Sequence, residues 1–505
     1  MLRSFLCFLL LVAGTSSAAL LDVPNARPKV SKDWTPALDL VWQGIKARNI
    51  QPWTTGLVHR PKSETPGDAV SEGQGYGMMV ALFAGDQTTF NSIWAATEKF
   101  MWNGSCLVWR RNSTGGNSGD GGAATDADQD VAAMLILADS LVKAKVWTGY
   151  SLPNGGPTYA VRAQTMLNTI WGTMVEQRNG EYHLRPGDGW GGYGSLNPGY
   201  YTPAFYRIYK DFDSNAGHNW MALIDQAYRT LEAADVNDLG LTPDWCNGAG
   251  ALLPSGPGYN AFDQGHSMYK DAIRTLWRIG TDAIWFNEPR AKSFLTKSAN
   301  FLLSKGGAST ANFYQMDGQL VDANAQFVFN GGALTRPRRE HSPLTIAMWA
   351  AGAMGAENMT LAESLSVEMG KYYTPGANYF GRATDAAGED TLHNEDYFDQ
   401  FLAWWGVSLM AGAYSDIRYD IANPPPPPLA THKLNKANAD NDLFVSWSGR
   451  TLQVRCNLLN QPGATLYVTD LRGHRLQMNS LPQSGIIAIE VRSGKERVSR
   501  LVRIN

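Results

Sequence analysis

Five consecutive prolines, Pro424 to Pro428 in "ANPPPPPLATHK", restrict the fold more than any other feature of the chain. Proline has no backbone N–H and its ring locks φ, so neither a helix nor a sheet ladder runs through such a stretch. A stiff polyproline II spacer is the conformation left to it. The two sides must fold separately. The expected division is a leader over 1–18, one long domain over 19–423, a linker over 424–439 and a short C-terminal domain over 440–505.

The leader reads as a secretory signal peptide. Arg3 supplies the positive end, "FLCFLLLVAG" the apolar centre and "SSAA" the small residues for cleavage. The apolar run is too short to span a bilayer, and no other stretch of the mature chain is a candidate. Export is the expectation. Cys7 leaves with the leader, and the odd set Cys106, Cys246 and Cys456 leaves open whether Cys106 and Cys246 pair. No Cys/His cluster suggests zinc. The net charge of −3 gives no sign of a nucleic-acid partner.

The long domain reads as mostly helical. Apolar residues recur at three- and four-residue spacing in "DVAAMLILADSLVKAKVW", "HNWMALIDQAYRTLEAA", "DAIRTLWRIGTDAIWF", "SPLTIAMWAAGAM" and "YFDQFLAWWGVSLMAGAY". Long Gly/Asn/Pro loops such as "RPGDGWGGYGSLNPGYY" lie between them. Many helices with long loops suggest a helical barrel or toroid whose loops gather at one face. The 17 Trp suit either a protein that stacks on sugar rings or a large aromatic core, and composition does not separate these.

Three helix starts carry acids. In "DAVSEGQGYGMMVAL", Ser71 with Gln74 spells a capping box, which makes Glu72 the first helical residue. The glycines form neither a dinucleotide loop nor a P-loop. In "GDGGAATDADQDVAAMLILAD", Asp126, Asp128 and Asp130 alternate at the head of an apolar run. An EF-hand fails there, since Val131 and Leu137 stand where Gly and Glu are needed. Like charges crowded at one helix start repel, which favours a site over a purely structural role. In "SMYKDAIRTLWRIG", Asp271 and Arg274 share a helix face and can pair. Paired carboxyl groups among Gly/Trp-rich loops in an exported chain suggest hydrolysis of glycosidic bonds.

Read in order, "SEGQGYGM", "ATDADQDVAAMLILAD", "NPGYYTPAFYRIY", "GLTPDWC" and "YKDAIRTLWRIGTDAIWF" resemble glycoside hydrolase family 8, across most of residues 33 to 415. The resemblance implies an all-α (α/α)6 barrel with a substrate groove and hydrolysis with inversion. It matches Glu72 to the general acid and Asp271 to the base that activates water, with Arg274 orienting it. It matches Asp126 to the acid that holds sugar hydroxyls at the cleavage subsite. Trp109, Trp190, Tyr397, Asp128 and Tyr201 are candidate substrate contacts. Two residues depart from the family pattern: Lys270 stands where Tyr is frequent, and Leu276 where Pro is usual. The implied activity is an endo-β-1,4-glucanase acting on a β-glucan, working as a monomer without metal or cofactor. A xylanase or chitosanase of the same family, or a non-catalytic glucan-binding envelope protein, is the alternative. Glycines around Glu72 are expected to let the backbone approach a sugar. The crowded acids are expected to hold Glu72 protonated against the helix dipole.

The C-terminal segment alternates apolar and polar residues in "ATLYVTDLRGHRLQ" and "SGIIAIEVRSG", the pattern of a small β-sandwich. Residues 429–505 hold 3 Lys and 8 Arg against 3 Asp and 2 Glu, a net charge of +6. The segment resembles the sorting domains of type IX secreted proteins, which implies a contact with secretion machinery. One Trp and one Tyr, Trp447 and Tyr467, make a poor sugar-stacking platform.

Overall fold

The computed structural model describes residues 28–422, apart from 62, 64, 120, 254–266, 322–326, 330–331, 335–340 and 382–396, together with five strands beyond residue 443. The expected leader, the proline spacer and Cys456 lie outside the described residues. Contacts divide the chain into two units, Met1–Pro424 and Pro425–Asn505.

The first unit is mostly helical. Its helices are α1 (Thr35–Ile45), α2 (Ser71–Phe83), α3 (Gln87–Phe100), α4 (Thr125–Lys143), α5 (Tyr159–Thr169), α6 (Pro203–Phe212), α7 (Trp220–Ala234), α8 (Arg274–Phe286), α9 (Pro289–Lys305), α10 (Pro343–Gly355), α11 (Met359–Gly370), α12 (Phe398–Met410) and α13 (Ile417–Ala422). The even-numbered helices from α2 to α12 pack each on the next, and α12 packs on α2, so they close a ring. Each also carries an odd-numbered helix on its outside, from α3 on α2 round to α1 on α12. Six inner and six outer helices are the (α/α)6 arrangement.

The sequence explains which helices lie inside. In α10, "PLTIAMWAAGAMG", and α12, "FDQFLAWWGVSLM", apolar and small residues cover every face, and nearly every residue is buried. Such helices need neighbours all round. Outer helices such as α9 bury one face only, with Phe294, Leu295 and Leu302 inward and lysines outward. Eight of the 17 tryptophans are fully buried in this core: Trp34, Trp42, Trp94, Trp220, Trp277, Trp349, Trp404 and Trp405.

Buried ion pairs cross the ring between α4 and α8. Asp130 accepts two hydrogen bonds from the Arg278 guanidinium, and both residues are buried. Cys106 and Cys246 are separate buried thiols, not a disulfide. Burial raises the Cys106 thiol to about 12. In the second unit, Phe444–Ser448 pairs antiparallel with Thr451–Arg455, and Thr465–Asp470, Gly485–Ser493 and Glu496–Ile504 form a three-stranded antiparallel sheet.

Candidate active site

The N-terminal ends of four inner helices supply the site. Glu72 lies in the first turn of α2 and Asp126 in the first turn of α4. Arg274 begins α8, with Asp271 on the turn just before it, and Tyr397 precedes α12. Helix N-termini carry partial positive charge, which suits a place where carboxylates collect.

The capping box expected at Ser71 does not form. Val70 occupies the cap position and Ser71 is already helical, with its hydroxyl buried and unpartnered. Gln74 is used for tertiary contact. Its amide accepts from the Val58 N–H at 2.8 Å and donates to the Val58 and Val70 carbonyls, each at 2.9 Å. The segment before α2 is tied down separately. Ala69–Val70 pairs with Arg110–Arg111, and buried Asp68 holds Arg60 and Arg110.

The glycines of this helix serve packing, contrary to the expected approach to sugar. All three are buried. A methyl group on Gly73 would stand 2.8 Å from the Tyr397 ring, one on Gly75 2.9 Å from Asp130 Cβ, and one on Gly77 2.6 Å from Val58. Close approach of neighbouring elements requires the missing side chains.

One buried guanidinium organises the acids. Arg274 Nη1 donates to Glu72 Oε2 at 2.6 Å and to Asp126 Oδ2 at 3.0 Å, and Nη2 donates to Asp271 Oδ1 at 2.9 Å. Arg274 is 1% exposed, whereas the Glu72 and Asp271 side chains keep 19% and 26%. The two carboxyls that reach solvent thus sit on opposite arms of one rigid fork. Tyr397 donates its hydroxyl to Glu72 Oε1 at 2.8 Å.

Three carboxyl groups around one cation leave excess negative charge in a poorly solvated place. Burial raises the Glu72 carboxyl most, and the charges of Asp126 and Asp271 add to this. Arg274 and the Tyr397 hydrogen bond pull it back, so that Glu72 titrates at about 7. The carboxyl is raised, as expected, but burial outranks Asp126 as the cause. Burial also raises Asp271, against Arg274, the neighbouring Asn197 side chain and the Lys270 charge, which all favour its ionised form. Lys270 is half-buried, and Leu276 is a buried core residue of α8.

The alternating acids separate. Asp126 and Asp130, four residues apart, both face α8, where Arg274 and Arg278 have the same spacing. Asp128 points the other way. It is 1% exposed and accepts from the Leu107 N–H at 3.1 Å, so it supports a loop and is not brought to the guanidinium. Tyr201 is likewise buried, near Thr230 and Cys246. Its neighbour Tyr200 is the residue at the site, with the Arg274 guanidinium 5.1 Å from its ring centre. Trp109 and Trp190 are half-buried beside the first turns of α2 and α4. The Trp109 carbonyl accepts from the Ser71 N–H at 2.8 Å, and Trp190 Nε1 donates to the Ala123 carbonyl at 3.2 Å.

Sequence reasoning passed over Tyr200, Asn197 and the Asp130–Arg278 pair. The pair was visible as matching i, i+4 spacings on two helices. Nothing local distinguishes Tyr200 from Tyr201. No cluster of three or more His, Cys, Asp and Glu fit to hold a metal occurs among the described residues, and no described helix is long and apolar enough to cross a membrane.

Residues 33–339 match the family described as Glycosyl hydrolases family 8. Endoglucanase 2 of Ruminiclostridium josui is 33% identical over 317 residues, which is 62% of this chain and 61% of that protein. Endoglucanase A of Acetivibrio thermocellus is 31% identical over 305 residues, 59% of each. The chain thus spans about three fifths of the length of these relatives. In fold it is similar to a β-1,3-1,4-glucanase from Paenibacillus sp. X4, with a TM-score of 0.59 and 19% identity over 79% of this chain and 99% of that one. The family match covers Glu72, Asp126, Asp271 and Arg274 and stops short of Tyr397. The chain belongs to the glycosyl hydrolases of family 8.

Proposed function

We propose that the protein is a secreted endo-β-1,4-glucanase that cleaves internal bonds of a β-glucan with inversion. The observation that carries this reading is the shared Arg274 fork, which holds a carboxyl titrating at about 7 on one arm and a second, solvent-reaching carboxyl on the other. Glu72 donates its proton to the glycosidic oxygen as the bond to the anomeric carbon breaks. Asp271 takes a proton from a water whose oxygen bonds to that carbon from the opposite face. The products are two shorter chains, with Glu72 ionised and Asp271 protonated until solvent resets them. Asp126, itself buried and fixed on Arg274, is proposed to accept hydrogen bonds from hydroxyls of a sugar seated against it at the cleavage point. Trp109, Trp190 and Tyr200 are half-buried aromatics beside these residues and are proposed to stack on sugars of the chain.

Inversion requires room for the water, so the two carboxyls should stand roughly 6.5–9.5 Å apart. A trapped glycosyl-enzyme would refute it. Release of reducing ends from carboxymethyl cellulose, xylan and chitosan tests the substrate class. Turnover on cellulose above the other two is expected, and preference for xylan or chitosan would select the alternative activity. No turnover on any of them would favour a glucan-binding envelope protein.

The second unit is proposed to be a β-sandwich that directs secretion. Its sparse aromatics argue against sugar stacking and so support sorting over sugar binding. Comparing host cells that express the full chain and a chain ending at Asn423 tests this. Equal secretion of both, with weaker binding of the shorter form to insoluble cellulose, would overturn it.

A further inference from the structure

The motif "GLTPDWC" holds an acid that the reaction above does not use. Asp244 is 1% exposed, and one of its oxygens does all its hydrogen bonding. Oδ1 accepts from the Tyr269 N–H at 2.9 Å and from the Ala272 N–H at 2.8 Å, the two positions that bracket Lys270 and Asp271. The Asp244 N–H in turn donates to the Ser267 carbonyl at 2.8 Å. Oδ2 is buried with no hydrogen-bond partner. Residues 270–273 form a turn, not yet a helix; the Ile273 N–H finds its acceptor locally in the Tyr269 carbonyl at 2.9 Å, whereas the Tyr269 and Ala272 N–H groups depend on Asp244.

We infer that Asp244 is the positioning residue of the catalytic base, clamping the turn that carries Asp271 from beneath and doing so as the neutral acid. This rests on the reading of Asp271 as the base. An ionised carboxylate with one oxygen buried and unpaired is far less favourable than a carboxylic acid, whose carbonyl oxygen still accepts both N–H bonds. The charged groups facing Asp244 are Asp271 and, beyond it, Arg274. Burial and the Asp271 charge hold the Asp244 carboxyl well above the usual range, and only the two N–H bonds and Arg274 oppose them. The arrangement is asymmetric: the Asp271 carboxyl reaches solvent, and Asp244 beside it is buried. Asp244 does not touch substrate, so its effect travels through where Asp271 sits.

The test compares full-length Asp244→Ala, Asp244→Asn and Asp271→Asn on a soluble β-glucan, with kcat and KM measured across pH. Removing the one oxygen that accepts both N–H bonds loosens the turn, and a displacement of about 1 Å at a reacting group costs about 10²-fold. The expected result is therefore a loss of that order in kcat for Asp244→Ala, with KM within about threefold of wild type. The conservative Asp244→Asn keeps a carbonyl oxygen for both N–H groups and should restore most of kcat, with the acid limb of the pH profile unmoved. Near wild-type turnover in Asp244→Ala would overturn the proposal, as would an Asp244→Asn as slow as Asp244→Ala. An acid limb displaced to lower pH in Asp244→Asn would also overturn it, because it would show that a charge had been removed from beside Asp271. If Asp244→Ala does not fold, Asp244→Ser, whose hydroxyl is too short to bridge both N–H groups, is read by the same criteria. Asp271→Asn separates the two ideas: turnover surviving there refutes Asp271 as the base, whatever the Asp244 variants do.

Discussion

Replacing Tyr397 by Phe removes one oxygen and leaves the ring that fills the space beside Gly73. The lost group is the donor to Glu72 Oε1 at 2.8 Å. A hydrogen bond to an ionised group contributes about 1.5–3 kcal/mol, and one to a neutral group about 0.5–1.5. The ionised form of Glu72 therefore loses about 1 kcal/mol more than the protonated form. At about 1.4 kcal/mol per pKa unit, the carboxyl should rise by somewhat under one unit. It starts at about 7. The general acid works only when protonated, so kcat/KM falls as pH rises through that value. In Tyr397→Phe the falling limb should move to between about 7.5 and 8. The assay is kcat/KM on a soluble β-glucan across roughly pH 4 to 10, with wild type alongside. The acid limb, set by Asp271, should stay in place. A basic limb that does not move, or moves to lower pH, would show that Tyr397 does not stabilise the Glu72 anion or that Glu72 is not the acid.

Glu72→Gln keeps the hydrogen-bonding shape and removes the proton donor. Its kcat should fall on the order of 10²–10⁴-fold with little change in KM, and wild-type turnover on an unactivated glucan would refute the role. Asp130→Asn leaves the buried Arg278 guanidinium without its counter-charge, and denaturant unfolding should show a loss of about 3–5 kcal/mol. Ending the chain at Asn423 should leave kcat on soluble glucan nearly unchanged, since the helical ring closes within the first unit; a large loss would show that the second unit supports the barrel.

Much of this protein was legible in the chain because the signals are local. The proline run separates two units wherever the rest lies. Apolar periodicity marks the helices, and acids at the heads of apolar runs mark α2, α4 and the turn before α8. Even the split among the alternating acids follows from 3.6 residues per turn: Asp126 and Asp130 share a helix face, and Asp128 projects from another.

The remaining decisions belong to packing. Whether Gln74 caps its own helix or bridges to Val58 depends on what lies opposite, and Val58 is 16 residues away in the chain. The same holds for Gly73, whose missing side chain matters only because the Tyr397 ring occupies that volume. Adjacent tyrosines 200 and 201 are equivalent locally, and the ring sends one to Arg274 and the other to the interior. Above all, the acidity of Glu72 is a property of enclosure. Desolvation, with the charges of residues 54 and 199 positions further along the chain, moves its titration to about 7. No pattern within one helix contains that information, because burial and like-charge repulsion act through space and only the closed ring brings those groups together.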